Sequence, residues 1–120
     1  MKKAFITLEG TLVHTDSYQY RPGASYLINA LKDRNYQVFI MTDKGVEYAR
    51  RWHEMLGLAS VHGFVLKSSV GNADSDIVID SDPSFMKRHT GRCIKPWNPN
   101  EEDAMDDVTL SRIADEIYGE

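Results

Sequence analysis

Residues 4–8, Ala4-Phe5-Ile6-Thr7-Leu8, form a short apolar run that stops at the turn sequence Glu9-Gly10-Thr11. A run of this length that ends at a turn is typical of a buried β-strand. Comparable runs recur at 36–41, 64–66, 77–79 and 92–94. Stretches with helical spacing of apolar residues separate several of these runs. This alternation predicts an α/β domain around a central, mostly parallel sheet of five strands.

The helical spacing is clearest in three segments. These are residues 22–34, residues 46–56, and a last segment that carries Leu110, Ile113, Ala114 and Ile117 on one face. Residues 12–21 have no sustained period, so we expect a loop excursion between the first strand and the first helix. The sequence contains no linker or low-complexity tract, and we therefore expect a single domain over residues 1–120.

The composition indicates a globular chain. Of the 120 residues, 42% are hydrophobic and 27% are charged, which argues against disordered and fibrous classes. No apolar run approaches the ~20 residues that span a bilayer, and no apolar region of a signal peptide follows the N-terminus. We expect a cytosolic protein without membrane association. The single cysteine, Cys93, excludes an internal disulfide, and we expect it to be buried on a strand.

The net charge of −4 is unevenly distributed along the chain. Residues 101–120 hold eight acidic residues and one arginine, which leaves the first hundred residues with a charge of +3. That charge is compatible with a ligand that carries a phosphate group. The chain has no basic stripe interleaved with aromatic residues, so we do not expect a nucleic-acid partner.

Polar residues follow four of the predicted strands. In an open parallel sheet, ligands bind outside the carboxyl ends of the strands, so this edge is the candidate site. Any one of these residues is typical of a surface loop, whereas their order points to a shared site. The residues are Thr7, Glu9, Gly10 and Thr11, then Thr42, Asp43 and Lys44, then Lys67, Ser68 and Ser69, and finally Asp80, Ser81 and Asp82.

In this order the motifs resemble those of the haloacid dehalogenase superfamily of phosphohydrolases, over essentially the whole chain. The family opens with a strand that ends Asp-x-Asp-Gly-Thr, where this chain has Thr7-Leu8-Glu9-Gly10-Thr11. Arg21-Pro22-Gly23 is similar to the family's helix entry. Thr42 ends a strand where the family binds the phosphoryl group, and Lys67 matches the lysine that neutralises its charge. Asp80-Ser81-Asp82 is similar to the family's acidic magnesium motif.

The resemblance implies a Rossmann-like three-layer sandwich similar to the small members that lack a cap domain. In such a member, Tyr18 and Tyr20 of the excursion would shape the mouth of the site. The implied roles are catalysis for Thr7 and Glu9, phosphate binding for Thr42 and Lys67, and weak Mg²⁺ binding for Asp80 and Asp82.

The chain departs from the family at the positions that perform the chemistry. The nucleophilic aspartate is replaced by Thr7, whose hydroxyl must lose a proton before it can attack. A phosphothreonine is also an ordinary ester, so turnover would stall. Glu9 replaces the acid–base aspartate and is one methylene longer, and a misplacement of that size costs about 10²-fold in rate. Glu9 could instead activate Thr7 or be a solvated turn residue.

We therefore expect a catalytically impaired domain that binds or regulates through a phosphorylated small molecule or a protein partner. The alternative is an active magnesium-dependent phosphohydrolase on nucleotides or small phosphate esters, using Asp80, Thr42 and Lys67. A purely structural role is a third hypothesis. Both tryptophans, Trp52 and Trp97, are expected to pack on the core or at its edge, and Trp97 is the better candidate of the two to face a ligand.

Overall fold

The fold is seen in a computed structural model that describes residues 2–14, 16–17, 19–71 and 76–120. Its centre is a sheet in which all pairings are parallel, in the order β5-β4-β1-β6-β7. A second, antiparallel pair lies in the excursion between β1 and the first helix. The strands are β1 (Lys2–Thr7), β2 (Val13–His14), β3 (Gln19–Tyr20), β4 (Tyr36–Thr42), β5 (Gly63–Leu66), β6 (Ile77–Asp80) and β7 (Gly91–Cys93).

Four α-helices complete the described part of the chain: α1 (Ala24–Asp33), α2 (Val46–Leu56), α3 (Pro83–Met86) and α4 (Thr109–Tyr118). Short 3-10 turns cover Lys67–Ser69 and Ala104–Asp106. The bounds of α2 are those that the spacing predicts, whereas α1 begins two residues after Pro22. Within the described ranges, no helix is long and apolar enough to cross a bilayer.

The sheet has two unequally covered faces, because side chains alternate along each strand. The main core lies on one face, where Ile6, Ile40 and Ile79 pack with apolar residues of α1, α2 and α4. On the other face Phe5, Met41 and Val78 form a smaller cluster, against which Phe85 and Met86 pack. The predicted three-layer α/β architecture with a five-stranded central sheet is confirmed, and its third layer is thin.

A buried ion pair ties the entry of α1 to the chain just before α4. Arg21, 1% exposed, donates hydrogen bonds of 3.2 and 3.0 Å to the two carboxylate oxygens of Asp107 and one of 3.0 Å to the carbonyl of Lys95. Burial raises the pKa of Asp107, but the hydrogen bond and charge of Arg21 and the amide of Thr109 outweigh it. The pKa of Asp107 is therefore held below its ordinary value.

Cys93 is not buried, although a free cysteine usually is. It lies on a strand, as expected, but it is exposed. The reason is that β7 is an edge strand of three residues, all of them exposed. The prediction of a buried cysteine is wrong, while Trp52 is buried in the main core as predicted.

Candidate functional site

The carboxyl ends of the central strands bring four of the predicted site residues to one edge of the sheet. Thr7 ends β1, Thr42 ends β4, Asp80 ends β6, and Lys67 directly follows β5. All four are buried, with Lys67 8% and Asp80 1% exposed. Buried polar groups of this kind need partners inside the protein, so their contacts determine what the site can do.

Glu9 is bound to the end of β4. Its Oε1 accepts hydrogen bonds from the Thr42 hydroxyl at 2.6 Å and from the Asp43 amide at 3.2 Å, and its Oε2 lies 3.1 Å from the same hydroxyl. The Lys44 amide donates to Thr42 Oγ1 at 3.1 Å, which leaves the hydroxyl proton free to point toward Glu9. We call the Thr42 hydroxyl and the Asp43 amide the anion cradle. In this structure the cradle holds the carboxylate of Glu9.

The turn after β1 places Glu9 at the cradle. The amides of Leu12 and Val13 both donate to the carbonyl of Leu8, so the chain reverses immediately after the strand. Gly10 lies in the middle of this reversal at φ +80°, and a Cβ there would meet Ser81 Oγ at 2.9 Å. The position therefore favours glycine both for its backbone angle and for the closeness of the loop after β6.

Lys67 is surrounded by carboxylates. Its Nζ lies 2.8 Å from Asp80 Oδ2, 3.9 Å from Asp43 Oδ2 and 4.0 Å from Asp82 Oδ2. The Lys67 ammonium and Asp80 Oδ2 form an ion pair, but their geometry is not that of a hydrogen bond. Among the described residues, Oδ2 accepts no hydrogen bond. Asp80 Oδ1 accepts from the amides of Ser81 at 2.7 Å and Asp82 at 3.2 Å. The lysine therefore already neutralises the carboxylate that the resemblance assigns to a metal.

Among the described residues, no base makes a hydrogen bond with the Thr7 hydroxyl. Its hydroxyl donates to the carbonyl of Ile79 at 3.4 Å, and the carboxylate of Glu9 contacts Thr42 rather than Thr7 among the described contacts. A threonine hydroxyl needs an adjacent general base to act as a nucleophile. In this arrangement Glu9 does not activate Thr7.

The side chains at this edge do not fit a magnesium ion as they are arranged. Asp80 is paired with Lys67, and Asp82 Oδ1 caps α3 by accepting from the Ser84 amide at 3.0 Å. Throughout the described ranges, no three His, Cys, Asp or Glu residues cluster in a way that could hold a metal. Magnesium prefers near-octahedral oxygen ligands, and here the carboxylates of Asp80 and Asp82 already have protein partners. Weak Mg²⁺ binding by Asp80 and Asp82 stays a prediction.

A cleft of about 700 Å³ opens beside Lys67. The cleft is lined by residues that follow β5 and by residues in and around α3. They are Lys67, Ser68, Val70, Asp82, Ser84, Phe85, Arg88 and His89. The rings of Phe85 and His89 stack with centroids 4.3 Å apart, and the ammonium of Lys67 lies 4.6 Å from the Phe85 centroid. Phe85, Arg88 and His89 were not among the predicted site residues, because the chain after β6 carries no recognisable motif beyond Asp82.

The predicted ligand-facing role of Trp97 is wrong. The side chain is buried, its Nε1 donates to the carbonyl of Ala104 at 3.0 Å, and its amide donates to the carbonyl of Gly10 at 3.0 Å. Trp97 thus supports the turn that carries Glu9 instead of facing a ligand. Tyr20 is exposed at the edge of a separate groove, and Tyr18 lies outside the described residues.

Comparisons with known proteins identify no relative. No family model matches the chain, and a search of curated proteins likewise finds no match. The resemblance to the haloacid dehalogenase superfamily therefore rests on the order of the motifs and on the edge of the sheet where their residues lie.

Proposed function

We propose that this protein is a non-catalytic, haloacid dehalogenase-like domain that binds the phosphate group of a small molecule at the anion cradle. The observation that carries the proposal is the bound carboxylate of Glu9. Two donors, the Thr42 hydroxyl and the Asp43 amide, already hold an oxyanion at the end of β4. A phosphate oxygen can accept the same two hydrogen bonds, provided that Glu9 moves away.

The contacts of the presumed catalytic residues favour binding over turnover. The Thr7 hydroxyl is bonded to a backbone carbonyl, Glu9 is held by Thr42, and Asp80 is paired with Lys67. None of these groups is placed to deliver a nucleophile or to transfer a proton to a leaving group. An activated nucleophile requires a base in hydrogen-bond reach, which this edge lacks among the described residues.

The charges at the edge predict weak binding. Lys67 is within 4.0 Å of three carboxylates, those of Asp43, Asp80 and Asp82. A phosphate dianion would meet these charges as well as the lysine, and like charges at a few ångströms repel. We expect affinities for inorganic phosphate in the millimolar range in the wild-type protein.

The first test is phosphate release from a panel of nucleotides and small phosphate esters, with Mg²⁺ present. We expect no release by the wild-type chain, and release by Thr7→Asp only if the rest of the edge can still support chemistry. Asp80→Ala is the control for contaminating phosphatase. Turnover by the wild-type chain that Asp80→Ala abolishes would overturn the proposal and establish the alternative, an active phosphohydrolase.

The second test is binding of inorganic phosphate, followed by amide chemical shifts in a ¹⁵N–¹H NMR titration. We expect saturable shifts at Thr42, Asp43 and Lys44, and their loss in Thr42→Val, which keeps the shape of the side chain and removes the hydroxyl. Phosphate binding would be contradicted if no saturable shifts appear at this edge, either in the wild-type chain or in Glu9→Ala, which removes the carboxylate that occupies the cradle. The remaining hypothesis would then be a protein partner.

A further inference from the structure

The cleft beside Lys67 continues from the candidate site and is much larger than a phosphate group. Lys67 and Asp82 belong to both, because they line the cleft and also take part in the carboxylate cluster at the end of β6. A volume of about 700 Å³ is in the range of pockets that bind small molecules. A ligand whose phosphate occupies the cradle would therefore place the rest of its structure in this cleft.

The cleft also contains a cation, Arg88, that has no partner among the described residues. Arg88 is exposed and makes no side-chain hydrogen bond or ion pair with the described residues, in contrast to Arg21, which is paired with Asp107. His89 Nδ1 is buried and likewise accepts or donates no hydrogen bond within the described ranges. Hydrogen-bonding groups left unused in a cleft are the groups that a ligand can bind.

Part of the cleft wall is apolar. The Phe85 ring contacts both the ammonium of Lys67 and the ring of His89, and Val70 also lines the cleft. Phe85 packs on the smaller core cluster, so its ring is held in place by the sheet. A cleft with fixed apolar walls and a few polar groups suits a ligand with a carbon skeleton between its charged ends.

We propose that this cleft binds a small molecule with two acidic groups, in which the phosphate lies at the cradle and Lys67 and the second acidic group pairs with Arg88. The inference rests on the proposed function, since the phosphate end of the ligand is the cradle itself. A guanidinium group binds a carboxylate or a second phosphate through two parallel hydrogen bonds, which a lysine cannot reproduce. Arg88 is therefore the residue that would select a doubly acidic ligand over a singly acidic one.

The experiment compares two probes that differ in one group. 3-Phosphoglycerate carries a phosphate and a carboxylate, and glycerol 3-phosphate carries the phosphate alone. Both are titrated by NMR into the wild-type chain, into Arg88→Gln and into Lys87→Gln. Lys87 is the matched control, because it is the exposed neighbouring cation and does not line the cleft.

We expect the wild-type chain to bind 3-phosphoglycerate about tenfold more tightly than glycerol 3-phosphate, the difference that one charge-assisted contact supplies. Arg88→Gln should abolish this preference without weakening glycerol 3-phosphate, and Lys87→Gln should preserve it. Equal binding of both probes, or a preference that survives in Arg88→Gln, would overturn the inference and leave the phosphate site standing. Failure of both probes to bind any of the three proteins would overturn the proposed function together with this inference.

Discussion

Replacement of Glu9 by alanine should free the anion cradle. In the wild-type protein, a phosphate ion can enter only when the Glu9 carboxylate leaves the Thr42 hydroxyl and the Asp43 amide. The apparent dissociation constant is then the intrinsic constant divided by the fraction of molecules whose cradle is open. Removing the carboxylate raises that fraction to one, so the variant should bind phosphate more tightly than the wild-type chain.

The size of the effect follows from the contact. A hydrogen bond to a charged group contributes about 1.5–3 kcal/mol. Because Glu9 is partly exposed, we assign the lower figure, about 1.5 kcal/mol, to the whole contact with its two donors. An energy of about 1.4 kcal/mol corresponds to a factor of ten in an equilibrium constant, so about one molecule in ten has an open cradle. Glu9→Ala should therefore lower the apparent dissociation constant for phosphate about tenfold.

The assay is the same NMR titration with inorganic phosphate. Glu54→Ala is the matched control, because Glu54 is an exposed glutamate on α2 whose side chain makes no hydrogen bond or ion pair with the described residues. It removes the same charge without touching the cradle, and its affinity should stay within a factor of two of the wild-type value. An equal gain in both variants would show that net charge rather than occupancy of the cradle limits binding. If Glu9→Ala binds phosphate no more tightly than the wild-type chain does, the idea that the Glu9 carboxylate competes with phosphate for the cradle is refuted.

Two further predictions concern stability. Asp107→Asn should lower the free energy of unfolding by about 2 kcal/mol at neutral pH, because it leaves the buried Arg21 without its charged partner. The pKa of Asp107 is lowered in the folded protein, so this contribution is present above the unfolded-state pKa and is lost as the pH falls through the folded-state value. Urea unfolding should therefore show a difference between the two proteins that is constant near neutrality and shrinks below about pH 4; a difference that does not change with pH would contradict the ion pair. Gly91→Ala should lower the melting temperature by about 10 °C, since a Cβ at its φ of +149° would lie 1.9 Å from the carbonyl oxygen of Val78. Gly71→Ala, where a Cβ meets none of the described residues within 4 Å, is the control in the circular dichroism melts, and equal melting of the two variants would show that β7 can move away from β6.

The elements of the fold could be predicted from the sequence because each has a local signal. The apolar runs of the central strands and the spacing of α1, α2 and α4 depend on neighbours a few residues apart. Asn35 and Gly57 directly follow the segments predicted as helices, and both have the positive φ that is common just after a helix. The start of α1 lies two residues later than predicted because Gly23, with a φ of +86°, is left-handed and cannot belong to the helix.

The contacts of the candidate site could not be predicted in this way. The residue types at the sheet edge and their order follow from the sequence, but the hydrogen bond from Thr42 to Glu9 joins residues 33 positions apart. The ion pair of Arg21 with Asp107 spans 86 positions. Such contacts depend on which side chains the folded sheet brings together, which no local pattern encodes.

The occupied cradle also gives the family-like residues at this edge a structural role that requires no ligand. With the cradle open, the buried Thr42 hydroxyl would lack the acceptor that Glu9 now supplies, and an unsatisfied buried polar group costs about 1–3 kcal/mol. Lys67 supplies the positive charge that the buried Asp80 carboxylate needs, while Asp80 Oδ2 accepts no hydrogen bond from the described residues. Each charged group at this edge thus has an internal partner in the described structure. An anion that enters must displace Glu9, and a metal ion that approaches Asp80 must displace Lys67. Because these are different side chains, phosphate binding and metal binding should respond separately to Glu9→Ala, which opens only the first of the two positions.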